Sequence, residues 1–349
     1  MLDRTLLDRL DGYFGGVRSA CVAVHQHPDG DALGSASALV SYLRERRGCD
    51  AVAIVPDPYP GTLDFLVRNG EVIVASEDQA GAARALAACG LLVCLDLNSP
   101  GRTGALEDAI RSAHCPKVMI DHHPGPDADG FDLVFSETEI SSASELLYSI
   151  LMEMPDVAGD ARRLPKDTAL GLMTGMTTDT NNFANSTYPS TFVMASRLIE
   201  AGVDRDGLLS LLYNRYRENR FRAMGYYLQT RLRITKAGVA YAVFSAEDFR
   251  SLGLNEGETE GFVNLPLGID RVRMSIFLRE DGDVYRVSVR SRKGWSSNAL
   301  ARAFFNGGGH ECAAGGRLRI ADGFSAREDA EKYIEDVTAR FLQDEALSL

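Results

Sequence analysis

The sequence predicts an α/β protein of two domains, with a mostly parallel sheet flanked by helices in the N-terminal part and a smaller α/β domain at the C-terminal end. Three observations predict this class. Short apolar runs alternate with helical patterns in the first half of the chain, which is typical of parallel sheets. The chain has 349 residues, more than one hydrophobic core usually accommodates. After residue 234 the pattern changes to paired, hairpin-like strands.

Six apolar runs in the N-terminal half are predicted strands. They cover residues 21–24, 51–55, 72–74, 91–95, 117–120 and 132–135. The helical patterns between and after them cover residues 36–47, 64–69, 79–89, 141–154 and 167–175. Ser141 or Ser142 is the predicted N-cap of the helix at 141–154, with Glu145 in its first turn.

The C-terminal half begins with predicted helices at 191–201 and 206–233. A strand at 239–244, a hairpin of strands 272–278 and 284–290, and helices at 298–305 and 333–341 follow. We therefore divide the chain into a catalytic domain at 1–190, a helical linker at 191–234 and a substrate-binding domain at 235–349.

Composition limits the classes of function. Hydrophobic residues make up 45% and charged residues 25%, as in soluble globular proteins. The formal net charge of −12 disfavours a long nucleic-acid groove, which requires a broad basic surface, but it permits a short phosphorylated ligand. The six cysteines have no CxxC spacing, and neither a signal-peptide pattern nor a run of ~20 apolar residues is found. These features predict a cytoplasmic protein without a membrane span.

Ligand-type side chains fill the turn after the first strand. His25, Asp29 and Asp31 can converge above the strand end, before the helix at 36–47. Imidazole and carboxylate together suit manganese, zinc or iron, whereas carboxylates alone suit magnesium. The alternative is an Asp-Gly turn with an N-capping acid. Two acids and a histidine in one turn exceed what capping requires, so metal binding is favoured.

Three later apolar elements end in the same way. Asp96 follows the strand at 91–95, where the alternative is an Asx turn. Asp121, His122 and His123 follow the strand at 117–120; adjacent residues of an extended chain point opposite ways, so one imidazole is predicted to bind metal and the other to face substrate. Asp179 follows the helix at 167–175, among threonines that can hold its carboxylate by hydrogen bonds.

The combined set of predicted ligands is larger than one ion needs. It comprises His25, Asp29, Asp31, Asp96, His122 and Asp179. Two ions ~3.5–4 Å apart that share a carboxylate can activate water and hold a phosphoryl group for in-line attack. The sequence contains neither a P-loop nor a GxSxG elbow. A metal-dependent phosphoryl hydrolase is therefore predicted.

A second candidate site lies in the C-terminal part. The tract Gly307, Gly308 and Gly309 allows backbone N–H groups to approach an anion closely, and His310 follows it. Arg290 precedes it on a predicted strand and carries a guanidinium that matches phosphate geometry. The alternative is a flexible loop beside a solvated basic rim. The combination of glycines, histidine and arginine favours a phosphate or carboxylate pocket.

Five motifs carry a resemblance that covers nearly the whole chain. In sequence order they are HQHPDGDALGS, DLN, DHHP, TTDT and GGGHECAAGG. This order resembles the DHH phosphoesterase superfamily, and within it the NrnA-type nanoRNA phosphodiesterases that also act as 3′-phosphoadenosine 5′-phosphate (pAp) phosphatases. The resemblance implies a DHH domain and a DHH-associated domain across a cleft, with two divalent ions. Manganese is the first expectation for these ions, and magnesium, cobalt or iron are alternatives. The implied substrates are short RNA and linear dinucleotides of cyclic-dinucleotide turnover, such as pApA and pGpG, and a homodimer is compatible.

The resemblance also implies individual roles. His25 and Asp29 hold the first ion, Asp31, His122 and Asp179 the second, and Asp96 bridges them. His123 faces the scissile phosphate, and Asp121 supports the imidazoles. Arg290, Gly307, Gly308, Gly309 and His310 bind the terminal phosphate or sugar of the nucleotide.

One departure from the family pattern lies beside the fourth motif. Asn181 and Asn182 stand where the family often has glycine, and asparagine tolerates the left-handed backbone better than most residues. Two other functions remain open. An inorganic pyrophosphatase or exopolyphosphatase of the same superfamily is disfavoured by the GGGH tract. A non-catalytic nucleotide-sensing module is disfavoured because all six ligands are present.

Overall fold

A computed structural model of the protein describes residues 2–67, 70–324 and 326–346, without the side chains of residues 343–346. The described chain forms two compact units, divided between Arg215 and Tyr216. This division lies inside the stretch that the sequence suggested as a linker. The predicted α/β class is confirmed, because each unit contains a six-stranded sheet with helices.

The N-terminal unit contains a sheet that is parallel throughout. Its strands are β1 (Ser19–Ala23), β2 (Asp50–Val55), β3 (Val72–Val74), β4 (Leu91–Leu95), β5 (Lys117–Asp121) and β6 (Leu133–Ser136). The spatial order is β3-β2-β1-β4-β5-β6, and every neighbouring pair is parallel. The predicted strands agree with these within two residues at each end.

The chain order along this sheet reverses between β1 and β4. In open parallel sheets of this order, ligands bind beyond the carboxyl ends of the strands at the reversal point. Ala23, Cys94 and Met119 lie side by side in the three adjacent strands β1, β4 and β5. The segments that follow these strands therefore leave the sheet at one edge, and they carry most of the predicted metal ligands.

Eight helices belong to the N-terminal unit among the residues described. They are α1 (Arg4–Gly16), α2 (Gly30–Arg47), α3 (Gln79–Ala88), α4 (Glu107–Ser112), α5 (Ala143–Met152), α6 (Lys166–Asp179), α7 (Pro189–Glu200) and α8 (Arg205–Tyr213). Short 3-10 segments lie at Gly61–Leu66, Pro100–Leu106 and Ala161–Arg163. Helix α2 is buried from Gly30 to Leu43. It packs against the parallel sheet and against α6.

Helices α2 and α6 pack antiparallel through small residues. A Cβ on Gly34 would lie 2.7 Å from the carbonyl oxygen of Gly171, and one on Gly171 would lie 2.6 Å from the carbonyl oxygen of Gly34. Real side chains do not tolerate such distances, so glycine permits the close approach. The packing brings the start of α2, which carries Asp31, to the end of α6, which carries Asp179.

Five predicted helices differ from the structure. Two begin six residues earlier than predicted: the helix predicted at 36–47 begins at Gly30 and so includes Asp31, and the helix predicted at 333–341 begins at Arg327. The helix predicted at 167–175 continues to Asp179, which is therefore its last residue. The stretch predicted as one helix at 206–233 is divided into α8, α9 (Glu218–Tyr226) and a π-turn at Tyr227–Arg231. The helix predicted at 64–69 is the 3-10 segment Gly61–Leu66, and residues 68 and 69 lie outside the described residues.

The C-terminal unit contains a mixed sheet. Its strands are β7 (Arg233–Ile234), β8 (Val239–Phe244), β9 (Met274–Asp281), β10 (Val284–Ser291), β11 (Gly308–Gly309) and β12 (Ala313–Arg319), in the order β11-β12-β10-β9-β8-β7. The other helices are α10 (Ala246–Ser251), α11 (Ser297–Phe304) and α12 (Arg327–Ala346), with 3-10 segments at Phe262–Gly268 and Ile320–Asp322. The predicted hairpin is confirmed as the antiparallel pair β9–β10. Among the helices described in either unit, none combines the length and apolar character needed to cross a membrane.

Candidate metal centre

Asp96 lies at the centre of a buried cluster of acids and imidazoles. It has a φ of 56°, which is uncommon for a residue other than glycine, and it is 2% exposed. Its Oδ2 lies 3.3 Å from Nε2 of His25, and its Oδ1 lies 3.5 Å from Nε2 of His122. Oδ1 is buried, and among the residues that the structure describes its neighbouring donors, Nε2 of His122 at 3.5 Å and Nδ1 of His123 at 3.6 Å, are too distant or misaligned for a hydrogen bond. Because a buried carboxylate oxygen without a donor is costly, this atom fits a bound cation.

The first group of ligands consists of His25, Asp29 and Asp96, whose donor atoms lie within 4.8 Å of one another. His25 Nδ1 donates to the carbonyl oxygen of Gln26 over 2.7 Å, which directs Nε2 toward the carboxylates. Asp29 Oδ1 lies 4.0 Å from this Nε2 and also accepts two amides in the first turn of α2. Asp29 is therefore the helix N-cap, the alternative interpretation of this turn, and it also lies beside His25.

The second group contains Asp31, Asp96 and His122. The carboxylate of Asp31 is 1% exposed and lies at the N-terminus of α5. Its Oδ2 accepts the amide of Ala143 over 2.7 Å, and its Oδ1 accepts the amide of Ser144 over 3.0 Å. The partial positive charge of a helix N-terminus stabilises an anion there, so α5 both orients this carboxylate and favours its charge.

His122 connects the second group to the end of α6. Its Nε2 lies 4.0 Å from Asp31 Oδ2 and 3.6 Å from Asp179 Oδ2. The structure therefore brings together all six predicted ligands: five form two groups that have Asp96 in common, and Asp179 lies beside His122 of the second group. Carboxylate oxygens and imidazole nitrogens are donors for manganese, iron or zinc. With the unpartnered Oδ1 at its centre, this cluster can bind metal.

Asp121 and His123 form a hydrogen-bonded pair at the edge of the cluster, where His123 Nδ1 also lies 3.6 Å from Asp96 Oδ1. The fully buried carboxylate of Asp121 accepts two hydrogen bonds from His123, one from its backbone amide over 2.9 Å and one from its ring Nδ1 over 2.8 Å. The other ring nitrogen, Nε2, lies 3.3 Å from Nη1 of Arg102. We did not predict Arg102 from the sequence. The feature of the sequence that could have indicated Arg102 is its position in the loop after β4, six residues beyond Asp96.

The proximity of these groups shifts their ionisation. Burial alone would lower the pKa of His25, but Asp96 and Asp29 outweigh it and raise that pKa to about 9. The carboxylates likewise overcome burial and raise the pKa of His122 to about 10. Burial and the charge of Asp96 raise the pKa of Asp31 to about 7. Burial would raise the pKa of Asp96, but the two imidazoles hold it well below its usual range.

These pKa values predict proton release when metal binds. At pH 7 the metal-free site holds both imidazoles, His25 and His122, in the charged form, and both must lose a proton to become ligands. Saturation with Mn²⁺ will therefore release about two protons per chain from the imidazoles and a further fraction from Asp31, which is partly protonated at pH 7, and affinity will fall as the pH is lowered from 8 to 6. Calorimetry in buffers of different ionisation enthalpy measures the number. Release of less than about one proton would contradict the assignment of both imidazoles as ligands.

Gly175 of α6 lies directly behind Asp31. A Cβ at this position would collide with Ser144 Oγ and lie 2.6 Å from Asp31 Oδ1. Gly175→Ala is therefore expected to displace the Asp31 carboxylate and to lower Mn²⁺ affinity about 10- to 100-fold, as for other residues that orient a ligand. Titration calorimetry measures this affinity.

Gly171→Ala is the matched control for Gly175→Ala, because its Cβ meets α2 at Gly34 and not a ligand. Gly171→Ala is expected to push α6 away from α2, and Gly175→Ala crowds Ser144 and Asp31, so both variants are expected to lower thermal stability. Only Gly175→Ala is expected to weaken metal binding. An equal loss of affinity in Gly171→Ala would show that helix separation, and not Asp31, is responsible.

The structure around Asp179 confirms one prediction made from the sequence and contradicts another. Asn181 and Asn182 have φ values of 47° and 56°, so the expected left-handed conformation is confirmed. The hydroxyls of Thr178 and Thr180, however, donate to backbone carbonyls of α6. The prediction that threonines hold the Asp179 carboxylate is therefore wrong for these two residues, because the helix continues to Asp179 and offers them closer acceptors.

The glycine tract of the C-terminal unit has a structural role. Gly308 and Gly309 form β11, which pairs with β12, and a Cβ on Gly307 would collide with the carbonyl oxygen of Gly315. The amides of Gly307, Gly309 and His310 donate to acceptors within this unit. These three amides therefore do not point toward an anion, contrary to the geometry that we expected.

Arg290 lies on β10 of the same unit. Its Nη1 donates to the carbonyl oxygen of Val289 over 2.9 Å, and the side chain is half-buried. The role of Arg290, Gly307, Gly308, Gly309 and His310 in substrate binding stays a prediction.

Comparison with known proteins identifies the class. Residues 19–176 match the N-terminal domain of the DHH family, and residues 236–338 match the DHHA1 domain. The chain belongs to the DHH family of phosphoesterases, and this membership indicates that the protein is a hydrolase.

Relatives of known structure or activity cover nearly the full chain. The crystal structure of an exopolyphosphatase-related protein from Bacteroides fragilis is 31% identical, with a TM-score of 0.89 over 99% of this chain and 98% of that one. The bifunctional oligoribonuclease and PAP phosphatase NrnA of Bacillus subtilis (strain 168) is 29% identical over 90% of this chain and 93% of that protein. The NrnA of Thermus thermophilus is 29% identical over 91% of this chain and 90% of that protein.

Proposed function

We propose that this protein is a cytoplasmic, metal-dependent phosphodiesterase that hydrolyses short oligoribonucleotides and linear dinucleotides such as pApA and pGpG to mononucleotides. We also propose that it removes the 3′-phosphate of pAp. The observation that carries the proposal is the pair of ligand groups that share Asp96. The similarity to two bifunctional NrnA proteins over nine tenths of the chain supports the substrate class. The six cysteines are free thiols, which suits a reducing compartment.

Two divalent ions, manganese first and magnesium, cobalt or iron as alternatives, would occupy the cluster. His25 and Asp29 would hold one ion, Asp31, His122 and Asp179 the other, and Asp96 both. Such ions lower the pKa of water and polarise a phosphoryl group as Lewis acids. The donor set and the unpartnered Asp96 Oδ1 support this occupancy.

The chain itself supplies preorganisation. Asp31 is held by two amides of α5 and Asp96 by its position at the buried end of β4. Ligands that are fixed before the reaction spend little free energy on reorganisation during it. Burial also excludes water from the carboxylates of Asp31 and Asp96, which strengthens their interaction with cations.

The C-terminal unit would bind the non-reacting end of the substrate. We assign this task to Arg290, Gly308 and His310, with Gly307 and Gly309 shaping the tract. The match of residues 236–338 to the DHHA1 domain supports the expectation that this unit is the DHH-associated domain, to which the family resemblance gives the substrate-binding role. The net charge of −12 favours substrates of a few nucleotides over long polyanions.

The test compares four substrates in the presence of Mn²⁺: pApA, pAp, pyrophosphate and a long single-stranded RNA. We expect AMP from pApA and from pAp, slower cleavage of the long RNA, and little phosphate from pyrophosphate. Samples with chelator and the variant Asp96→Ala serve as controls. Release of phosphate from pyrophosphate alone would favour the inorganic pyrophosphatase alternative, and faster cleavage of the long RNA would contradict the proposed substrate size.

A further inference from the structure

We propose that Arg102 binds the reacting phosphoryl group of the substrate through the Nε and Nη2 edge of its guanidinium, and that Asp121 and His123 position it. The proposal rests on the proposed function only in taking a phosphoryl group as the reacting part of the substrate. It assigns His123 a positioning task, in place of the direct contact with phosphate that family resemblance implies.

The backbone of Arg102 is fixed at the point where the chain order of the sheet reverses. Its amide donates to the carbonyl oxygen of Ser99 over 3.0 Å, and its carbonyl oxygen accepts the amide of Gln26 over 2.8 Å. Gln26 follows β1 and Ser99 follows β4, so Arg102 joins the two loops between which ligands bind in sheets of this order. A Cβ on Gly104 would collide with the Gln26 side chain, so this loop is closely packed.

One end of the guanidinium is anchored. Nη1 donates to the carbonyl oxygen of Asp96 over 3.4 Å and lies 3.3 Å from Nε2 of His123. A guanidinium can only donate, so His123 Nε2 accepts and the ring proton is on Nδ1, directed at Asp121 Oδ1 over 2.8 Å. The result is a chain of hydrogen bonds from Asp121 through His123 to Arg102. In this arrangement His123 Nε2 has no proton to donate to a phosphate oxygen.

The other edge of the guanidinium is available. In the part of the chain that the structure describes, the hydrogen bonds of the Arg102 side chain both involve Nη1, Nε and Nη2 make none, and the guanidinium forms no ion pair with a carboxylate. Neither atom is among the enclosed polar atoms, and the residue is half-buried, so this edge is open. The N–H groups of Nε and Nη2 lie in one plane and can donate two parallel hydrogen bonds to two oxygens of one phosphate group.

The charges at the site indicate what the open edge of the Arg102 guanidinium can bind. The carboxylates of Asp29, Asp31, Asp96 and Asp179 would neutralise two divalent ions. A phosphodiester brings one negative charge, and further charge develops on its oxygens in the transition state. The Arg102 guanidinium contacts the backbone of Asp96, so it is a cation that lies beside the ligands and can offset that charge.

The central test compares Arg102→Gln with Arg84→Gln, an exposed arginine on α3 that undergoes the same change of charge. We expect Arg102→Gln to lower kcat for pApA about 100-fold, the usual effect of removing a donor to a developing oxyanion. The affinity of the Mn²⁺-loaded protein for inorganic phosphate, measured by calorimetry, is expected to fall about tenfold or more, as for a lost charged hydrogen bond. Mn²⁺ stoichiometry is expected to stay unchanged.

Two further variants separate binding from folding. Arg102→Lys keeps the charge but lacks the planar edge, and it is expected to recover less than about a tenth of the lost kcat. His123→Gln is expected to weaken phosphate binding in the same direction. Because His123 acts through Arg102, the double variant is expected to lose much less than the product of the two single effects.

Two results would overturn the inference. In the first, kcat and phosphate affinity of Arg102→Gln stay within about threefold of Arg84→Gln, a difference too small for a lost charged contact. In the second, the Gln and Lys variants both lose bound Mn²⁺, which would place Arg102 in the support of the metal ligands. The phosphate measurement does not need a nucleotide substrate. If the wild type fails to cleave pApA but Arg102→Gln still weakens phosphate binding, the proposed function fails and this inference stands.

Discussion

Asp96→Ala is expected to lower turnover about 1,000-fold or more, a loss of roughly 4 kcal/mol in transition-state stabilisation. Asp29→Ala is expected to lower it only about 10- to 100-fold, because this exposed ligand serves one ion and its loss leaves His25 and Asp96 in place. The difference between the two variants follows from where Asp96 and Asp29 lie in the cluster. Asp96 is buried between His25 and His122 and belongs to both ligand groups, whereas the Asp29 side chain is 59% exposed and belongs to the first group only.

The controls separate catalysis from folding. Asp29 caps α2, so Asp29→Ala also removes a cap, at about 1 kcal/mol of stability. Asp29→Ser keeps a capping oxygen and removes the carboxylate, so it isolates the contribution to metal binding. Turnover of pApA, bound Mn²⁺ and thermal unfolding are measured for each variant. Equal residual activity in Asp96→Ala and Asp29→Ser would contradict the assignment of Asp96 as the shared ligand.

Asp31→Asn is expected to have the second largest effect, a loss of about 100- to 1,000-fold in turnover, because two unfavourable changes coincide. The first is the loss of a charged ligand. The second arises from α5, because each carboxylate oxygen accepts one amide, from Ala143 and from Ser144. Whichever way the amide of the asparagine is turned, its NH₂ group faces a backbone N–H, and a buried donor is left without an acceptor.

Asp64→Asn is the matched control, because Asp64 is exposed in a 3-10 segment away from the cluster and undergoes the same substitution. Mn²⁺ affinity and turnover are measured for both variants, with circular dichroism to check folding. Asp31→Asn with wild-type Mn²⁺ affinity would contradict its assignment to the second ligand group.

Local pattern was sufficient for much of the architecture. Short apolar runs predicted all six strands of the parallel sheet, because strands buried on both faces are continuous apolar segments. The same pattern predicted which acids and imidazoles meet, because parallel strands end at one edge of their sheet. Asp96 and His122 follow neighbouring strands, so their proximity could be expected from the sequence.

Contacts between distant segments were beyond local pattern. The amides that hold Asp31 come from α5, more than a hundred residues later in the chain. The contact between His123 and Arg102 depends on a side-chain direction that spacing does not predict. The break between α8 and α9 was also missed, because residues 206–233 contain no proline that would mark the end of a helix.

The most direct test of the account is the number and coupling of manganese ions in the wild type and in Asp96→Asn. Metal analysis with electron paramagnetic resonance at low temperature measures both. We expect two Mn²⁺ ions per chain with an exchange-coupled signal in the wild type, and loss of that coupling in Asp96→Asn. One ion per chain at saturation, or two uncoupled ions in the wild type, would contradict a centre built around a shared Asp96.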